Sequence, residues 1–190
     1  MKKYELTNET KTLAGGTVLY RIRALRDIPR FGVEAGELGG FVEGENNLSQ
    51  DGYAWVSGDA RVFGNAKISG DAEVYGKAFV SGNAKVFGKA WVYGNAKVYG
   101  NAEIYGDAEV SGYADYMVIK NIWSSDGWFT YTSSNKKWAV GCFCGTGEEL
   151  VAKAYKDSEL SGRCYEAIIR AVETIEAAKA EAKGEADGSK

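Results

Sequence analysis

Residues 56–115 read VSGDARVFGNAKISGDAEVYGKAFVSGNAKVFGKAWVYGNAKVYGNAEIYGDAEVSGYAD, and one unit, [V/I]-x-G-x-A-x, runs through them ten times without a slip. The aliphatic positions are Val56, Val62, Ile68, Val74, Val80, Val86, Val92, Val98, Ile104 and Val110, with Gly52-Tyr53-Ala54 as part of an eleventh unit. Ala-x-[Val/Ile]-x reads as a short strand whose alternate side chains point inward. Glycine followed by Asn, Asp or Lys then turns a corner, where a positive φ suits Gly and is tolerated by Asn and Asp. Three such edges close a coil of 18 residues, and the next coil hydrogen-bonds onto it about 4.8 Å further along. Small Ala beside β-branched Val fills a narrow prism that would reject larger residues. The fold class that follows is mainly β: a parallel β-helix of hexapeptide repeats.

Folding the sequence at 18 sets Asn65, Asn83 and Asn101 on one corner, where they can form an amide ladder. Asp71, Lys89 and Asp107 share a second corner, and Asp59, Lys77 and Asn95 the third. The flat faces differ. One displays Trp55, Tyr75, Trp91 and Tyr93 with Glu73 and Glu109 between them. A second displays Arg61, Phe63, Phe79, Lys97 and Tyr99, and a third Lys67, Lys85, Phe87, Glu103 and Tyr105. So many outward aromatics exceed what a lone monomer leaves wet. Two readings stand side by side: an oligomer interface, and a ligand-stacking surface at a subunit boundary.

The flanks read as caps. Within residues 1–50, Thr17–Ile28 alternates like a strand, with Tyr20, Ile22 and Ala24 on one side and Arg21 and Arg23 on the other. Gly36–Val42 reads as an irregular lead-in to a coil spanning 51–115. Residues 1–30 carry seven Lys or Arg against three acidic residues. A solvated basic face and a phosphate site built from Arg21, Arg23, Arg26 or Arg30 both fit that count. After Asp115 the period stops. Tyr116–Trp123, Trp128–Ser133 and Lys137–Phe143 suggest an antiparallel meander, its first turn at Ser124-Ser125-Asp126-Gly127. Thr146 with Glu149 is a capping-box signature for a helix. A second helix begins near Ser161, with Tyr165, Ile168, Ile169, Val172 and Ile175 on its apolar stripe. This C-terminal module spans 116–185, and residues 186–190 read as a disordered tail.

Composition removes most chemistry. The chain of 190 residues has 25 Gly, one Pro and a net charge of −3, which argues against coating long nucleic acid. No apolar run reaches the roughly 20 residues of a membrane span, and none follows the N-terminus, so a cytoplasmic, membrane-free protein is expected. There is no histidine, hence no imidazole base or metal ligand. Hexapeptide β-helices resemble acyltransferases and γ-class carbonic anhydrases, whose chemistry relies on histidine. The resemblance therefore carries no catalytic residue here. Cys142, Cys144 and Cys164 match no familiar zinc spacing and read as buried or half-buried thiols, so neither a metal nor a cofactor is expected. No phosphate-binding glycine motif occurs, so the glycines are structural.

Three segments carry a further resemblance: Arg21–Asp27, Leu38–Glu43 with Asn47-Leu48-Ser49, and Gly141–Leu150. Together they are similar to hexapeptide-repeat proteins common in bacteriophage and prophage genomes. That resemblance implies a left-handed coil, a homotrimer and a phage setting, and transfers no functional residue. The expected function is a non-enzymatic, oligomeric binding protein. Trp55, Tyr75, Trp91, Tyr93, Arg21, Arg23, Arg26 and Arg61 are its candidate ligand residues, and a small anionic nucleotide is the candidate ligand. The alternative is a scaffold that binds a host or phage protein.

Overall fold

The computed structural model describes residues 2–112, 114–124 and 127–187. Three N-terminal strands, β1 (Tyr4–Thr12), β2 (Val18–Ala24) and β3 (Leu38–Val42), come first. Ten strands of two residues each follow: β4 (Trp55–Val56), β5 (Arg61–Val62), β6 (Lys67–Ile68), β7 (Glu73–Val74), β8 (Phe79–Val80), β9 (Lys85–Val86), β10 (Trp91–Val92), β11 (Lys97–Val98), β12 (Glu103–Ile104) and β13 (Glu109–Val110). They stack as parallel sheets, β4-β7-β10-β13, β5-β8-β11 and β6-β9-β12. Partners such as Trp55, Glu73, Trp91 and Glu109 stand 18 residues apart, so the period read from the repeat is the period of the coil.

In most hexads three amides bond to the next coil. Trp55 N donates to Ala72 O (3.0 Å), Ser57 N to Val74 O (2.9 Å) and Asp59 N to Gly76 O (2.9 Å). The repeat Ala, Val and Ile side chains from Ala54 to Val110 lie inside the prism at no more than 1% exposure. Each buried Val contributes roughly 1.5 kcal/mol or more. Corner glycines from Gly58 to Gly106 hold φ between 63° and 73°. At Gly88 a second constraint is added, because a Cβ there would lie 2.9 Å from Gly106 N.

The coil begins earlier than residue 51. β3 pairs in parallel with β5 through Phe41–Arg61 and Val42–Val62, and Leu48 bridges Ile68. Partners here are twenty residues apart, so this first coil lacks the hexad signature and belongs to the solenoid rather than to a separate cap. Gly39 passes so close to Val56 O that a Cβ would sit 2.5 Å from it. β2 and β1 extend the same sheet antiparallel, giving the order β1-β2-β3-β5-β8-β11. Irregular register between Leu6 and Thr10, and again between Arg21 and Arg23, breaks simple alternation in the hairpin. In consequence Leu19 and Ile22 are buried, while Tyr20, expected on the same side as Ile22 and Ala24, is exposed.

The open end of the coil is closed by polar groups as well as by packing. Asn47 Nδ2 donates to Gly64 O and Ala66 O, both at 2.9 Å. Tyr4 donates its hydroxyl to Leu48 O (2.7 Å) and sets its ring edge-on to Trp55, with centroids 6.5 Å apart. Lys3 is buried and donates to Ala54 O at 2.7 Å. Burial, helped by the charge of Arg26, lowers its pKa from 10.5 to about 8.

The C-terminal module is a four-stranded antiparallel meander: β14 (Tyr116–Lys120), β15 (Trp128–Thr132), β16 (Lys137–Val140) and β17 (Phe143–Gly145). Its last strand had no separate reading in the sequence. Of the expected first turn, Ser125 and Asp126 lie outside the described residues. Helix α1 (Gly147–Asp157) starts at Thr146, whose hydroxyl accepts from Glu149 N while Glu149 Oε2 accepts from Thr146 N at 2.8 Å. Helix α2 (Glu159–Asp187) continues past 186, where a tail was expected, and 188–190 lie outside the described residues. Phe129, Tyr131, Trp138, Leu150, Tyr165, Ile169 and Val172 form the module's core. Of the expected stripe, Ile175 is exposed.

The module caps the coil with hydroxyls. Thr130 Oγ1 accepts from Glu103 N (3.0 Å), Ser134 Oγ accepts from Glu109 N (2.8 Å), and the Tyr116 hydroxyl donates to Lys97 O (2.9 Å). Among the described residues no helix is long and apolar enough to cross a membrane.

Two glycine variants separate the two demands at a corner. Gly106→Ala, with φ 73° and nothing within 4 Å of the new Cβ, should cost about 1–2 kcal/mol for the left-handed backbone alone. Gly88→Ala carries the same backbone cost plus the clash, and should lose roughly twice as much stability in urea unfolding.

Candidate functional site

The eight residues singled out from the sequence do not converge. Trp55 is 1% exposed, against its expected place on an open face, because the N-terminal hairpin folds over it and Tyr4 packs on its ring. It is a core residue. The rest of that face is open: Trp91 is 40% exposed, Tyr75 and Tyr93 stack at 5.1 Å and 7°, and Tyr75 meets Trp91 edge-on at 6.4 Å.

This face is acidic. Glu73 is paired in register between Trp55 and Trp91, and Ser57 Oγ donates to it at 3.3 Å. Burial raises the Glu73 pKa above its ordinary 4.5, only partly offset by that hydrogen bond. Glu109 accepts from the Tyr93 hydroxyl at 3.4 Å. A phosphate brought to these rings would meet carboxylates, with no arginine of the candidate set beside them.

The arginines mostly hold the N-terminal region together. Arg23 donates to Glu5 at 2.9 Å, Arg26 to Gly52 O at 3.2 Å and Arg30 to Asp71 O at 3.3 Å. Arg21 pairs with Glu9 at 2.9 Å and donates its Nε to Gly39 O at 3.1 Å. Its guanidinium also lies over Phe41, 5.2 Å from the ring centroid, and Lys11 lies over the same ring at 4.7 Å.

Arg61 is different. Its guanidinium lies 4.7 Å from the Phe79 centroid, and its Nε is buried with no hydrogen-bond partner. Pairing across the strands makes one row: Arg21, Phe41, Arg61, Phe79 and Lys97. Cation and ring alternate along it, with Phe63 edge-on to Phe79 at 6.4 Å. Such stacking holds a guanidinium flat and leaves its rim for an anion. Phe79 and Lys97 were visible from the repeat. Phe41 and Lys11 were not, because the first coil runs at twenty residues and no hexad marks it.

On the third face Lys85 pairs with Glu103 at 2.7 Å, and Phe87 stacks on Tyr105 at 4.8 Å. The Tyr105 hydroxyl donates to Phe143 O, and burial beside Cys144 raises its pKa. Cys142 and Cys144 are exposed, not buried as expected, because they sit at the turn and strand closing the meander; Cys164 is half-buried. Among the described residues no group of three or more Cys, Asp or Glu is placed to hold a metal ion.

Two outcomes check this description. Trp55→Ala should cost about 3–5 kcal/mol in denaturant unfolding, whereas Trp91→Ala should cost about 1 kcal/mol. Glu73 has a folded pKa above its unfolded value, so its contribution to stability is present below about pH 4.5 and is lost as pH rises through the folded value. The stability of Glu73→Gln relative to the unaltered chain should therefore increase from pH 4 to pH 7 in paired thermal melts.

Set against known proteins, residues 78–94 match the family described as YdcK beta solenoid repeat. No curated protein matches the chain. The matched stretch lies wholly within the coil, from Ala78 to Gly94, so the likeness is to the solenoid repeat.

Proposed function

We propose that the chain is a non-enzymatic binding protein that holds a small anionic ligand with a planar ring, of the nucleotide class, against the β1-β2-β3-β5-β8-β11 face. The observation that carries this reading is Arg61. It lies stacked on Phe79 between two rings of the row, with a buried Nε that meets no acceptor and no ion pair among the described residues. A phosphate or similar anion would accept from the terminal N–H groups of the same guanidinium. The neighbouring rings would take the planar part of the ligand by stacking. Because the site rests on hydrogen-bonded coils, little ordering is needed on binding.

Acyl transfer is a poor fit, since the chain has no histidine to act as base. The resemblance to phage-borne repeat proteins supplies a setting: sequestration of a nucleotide signal used in host defence, in the host cytoplasm. It also supplies an assembly, a homotrimer whose boundaries would cover exposed rings such as Trp91. A second reading, a scaffold that binds another protein, is favoured by Ile122 and Leu160, which project from the C-terminal module at 79% and 60% exposure.

Calorimetric titration with a panel of mononucleotides and cyclic dinucleotides is the test. Binding at about 10 µM or tighter is expected for at least one of them, weakened by at least about tenfold in Arg61→Ala. Absence of binding across the panel, or binding unchanged in Arg61→Ala, would sink the reading.

A further inference from the structure

A second concave surface lies where the coil meets the meander, around the corner from the Lys97 end of the Arg61 row. Trp128, at the start of β15, is 44% exposed, and Tyr99, on the coil, is 56% exposed. Among the described residues neither ring is part of a packed aromatic pair. A cavity of about 320 Å³ is lined by Tyr99, Asn101, Tyr116, Met117 and Trp128. Another, of about 290 Å³, is lined by Asn83, Lys85, Asn101, Glu103 and Trp128. The two share Asn101 and Trp128, so both border the indole and the asparagine corner, and together they are taken as one cleft.

The polar groups in this cleft set donors and acceptors side by side. Asn65 Nδ2 donates to Asn83 Oδ1 and Asn83 Nδ2 donates to Asn101 Oδ1, each at 3.1 Å. The ladder thus ends on Asn101 Nδ2, a donor with no partner among the described residues. Beside it Lys85 Nζ and Glu103 Oε1 lie 2.7 Å apart and cancel each other's charge. The cleft therefore has flat apolar walls, paired donors and acceptors, and no net charge to attract a phosphate.

From this juxtaposition we infer that the cleft between Tyr99 and Trp128 is a binding site for a neutral saccharide. A pyranose ring has two apolar C–H faces, which fit against indole and phenol, and a rim of hydroxyls that each donate and accept. The amide of Asn101 and the Lys85–Glu103 pair meet that rim. The combined volume is within the range of small-ligand sites and accommodates a short oligosaccharide rather than a long chain. This site is independent of the anion-binding reading and uses none of its residues.

The test is titration of the full chain with neutral hexasaccharides of glucose, N-acetylglucosamine, mannose and xylose, followed by calorimetry and tryptophan fluorescence. At least one should bind with a dissociation constant of about 1 mM or tighter and alter the emission. Trp128→Ala and Asn101→Leu should each weaken that binding by at least about fivefold, while Arg61→Ala leaves it unchanged. Trp128 is half-exposed and Asn101 lies on a corner, and circular dichroism would establish that each variant keeps the coil. No binding by any of the four sugars at about 5 mM, or binding that survives both substitutions, would overturn the assignment. So would displacement of the sugar by the nucleotides that engage Arg61, since that would place both ligands at one site.

Discussion

Adjacent coils meet backbone to backbone at their corners, and this contact sets the terms for everything outside it. At most corners the glycine carbonyl accepts from the residue after the glycine one coil earlier, as Lys89 N to Gly106 O at 2.7 Å. A side chain at the glycine would hold the coils apart, since even a Cβ on Gly88 or Gly82 falls 2.9 Å from the next glycine's nitrogen. Only with that corner empty can amides such as those of Trp55 and Ser57 reach the Ala72 and Val74 carbonyls of the coil beyond. Every hexad must then be six residues long, because one residue more or less would turn its Val outward and its charged neighbour inward.

Strict phase has a consequence for the surface. Any outward residue stacks on the residue 18 positions away, so pairs on the surface are chosen by the coil and not by local sequence. The amide ladder, the Tyr75–Tyr93 and Phe87–Tyr105 stacks, and the Lys85–Glu103 pair all follow from it. The coil also leaves its terminal amides and carbonyls unpaired, and the two ends answer this differently. At the first coil a hairpin joins the sheet and Asn47 donates to two carbonyls. At the last, hydroxyls of Thr130 and Ser134 accept from Glu103 N and Glu109 N. A ten-hexad prism is short, so both ends matter to its stability.

What could be read in advance divides along the same line. Wherever the coil dictates position, the sequence was enough: the 18-residue period, the inward Ala and Val, and the Asn65–Asn83–Asn101 ladder needed only the repeat. The Thr146–Glu149 capping box, a purely local device, was equally readable. The misreadings lie where a non-repeating segment lands on the coil. Trp55 has the pattern of an outward residue, and nothing in its hexad shows that Tyr4, about fifty residues earlier, folds over it. The first coil, at twenty residues, escapes a search for six. Tyr20 faces outward because of a register irregularity that leaves no composition signal. For the same reason the sequence did not show that Arg21, Arg23, Arg26 and Arg30 are engaged in holding the N-terminal strands.

Chemistry on such a prism is segregated by face. Side chains on one face cannot cross a corner to assist those on the next, because the coil between them is rigid and packed. The acidic ring face carrying Glu73 and Glu109, the cation–ring row through Arg61, and the neutral pairing of Lys85 with Glu103 are thus three separate environments. Sites of mixed character can arise only where another element leans over an edge, as β15 does when it brings Trp128 to the asparagine corner. A fold of this type gains recognition chemistry at its seams, and the C-terminal meander, which closes the coil, is also what creates the seam.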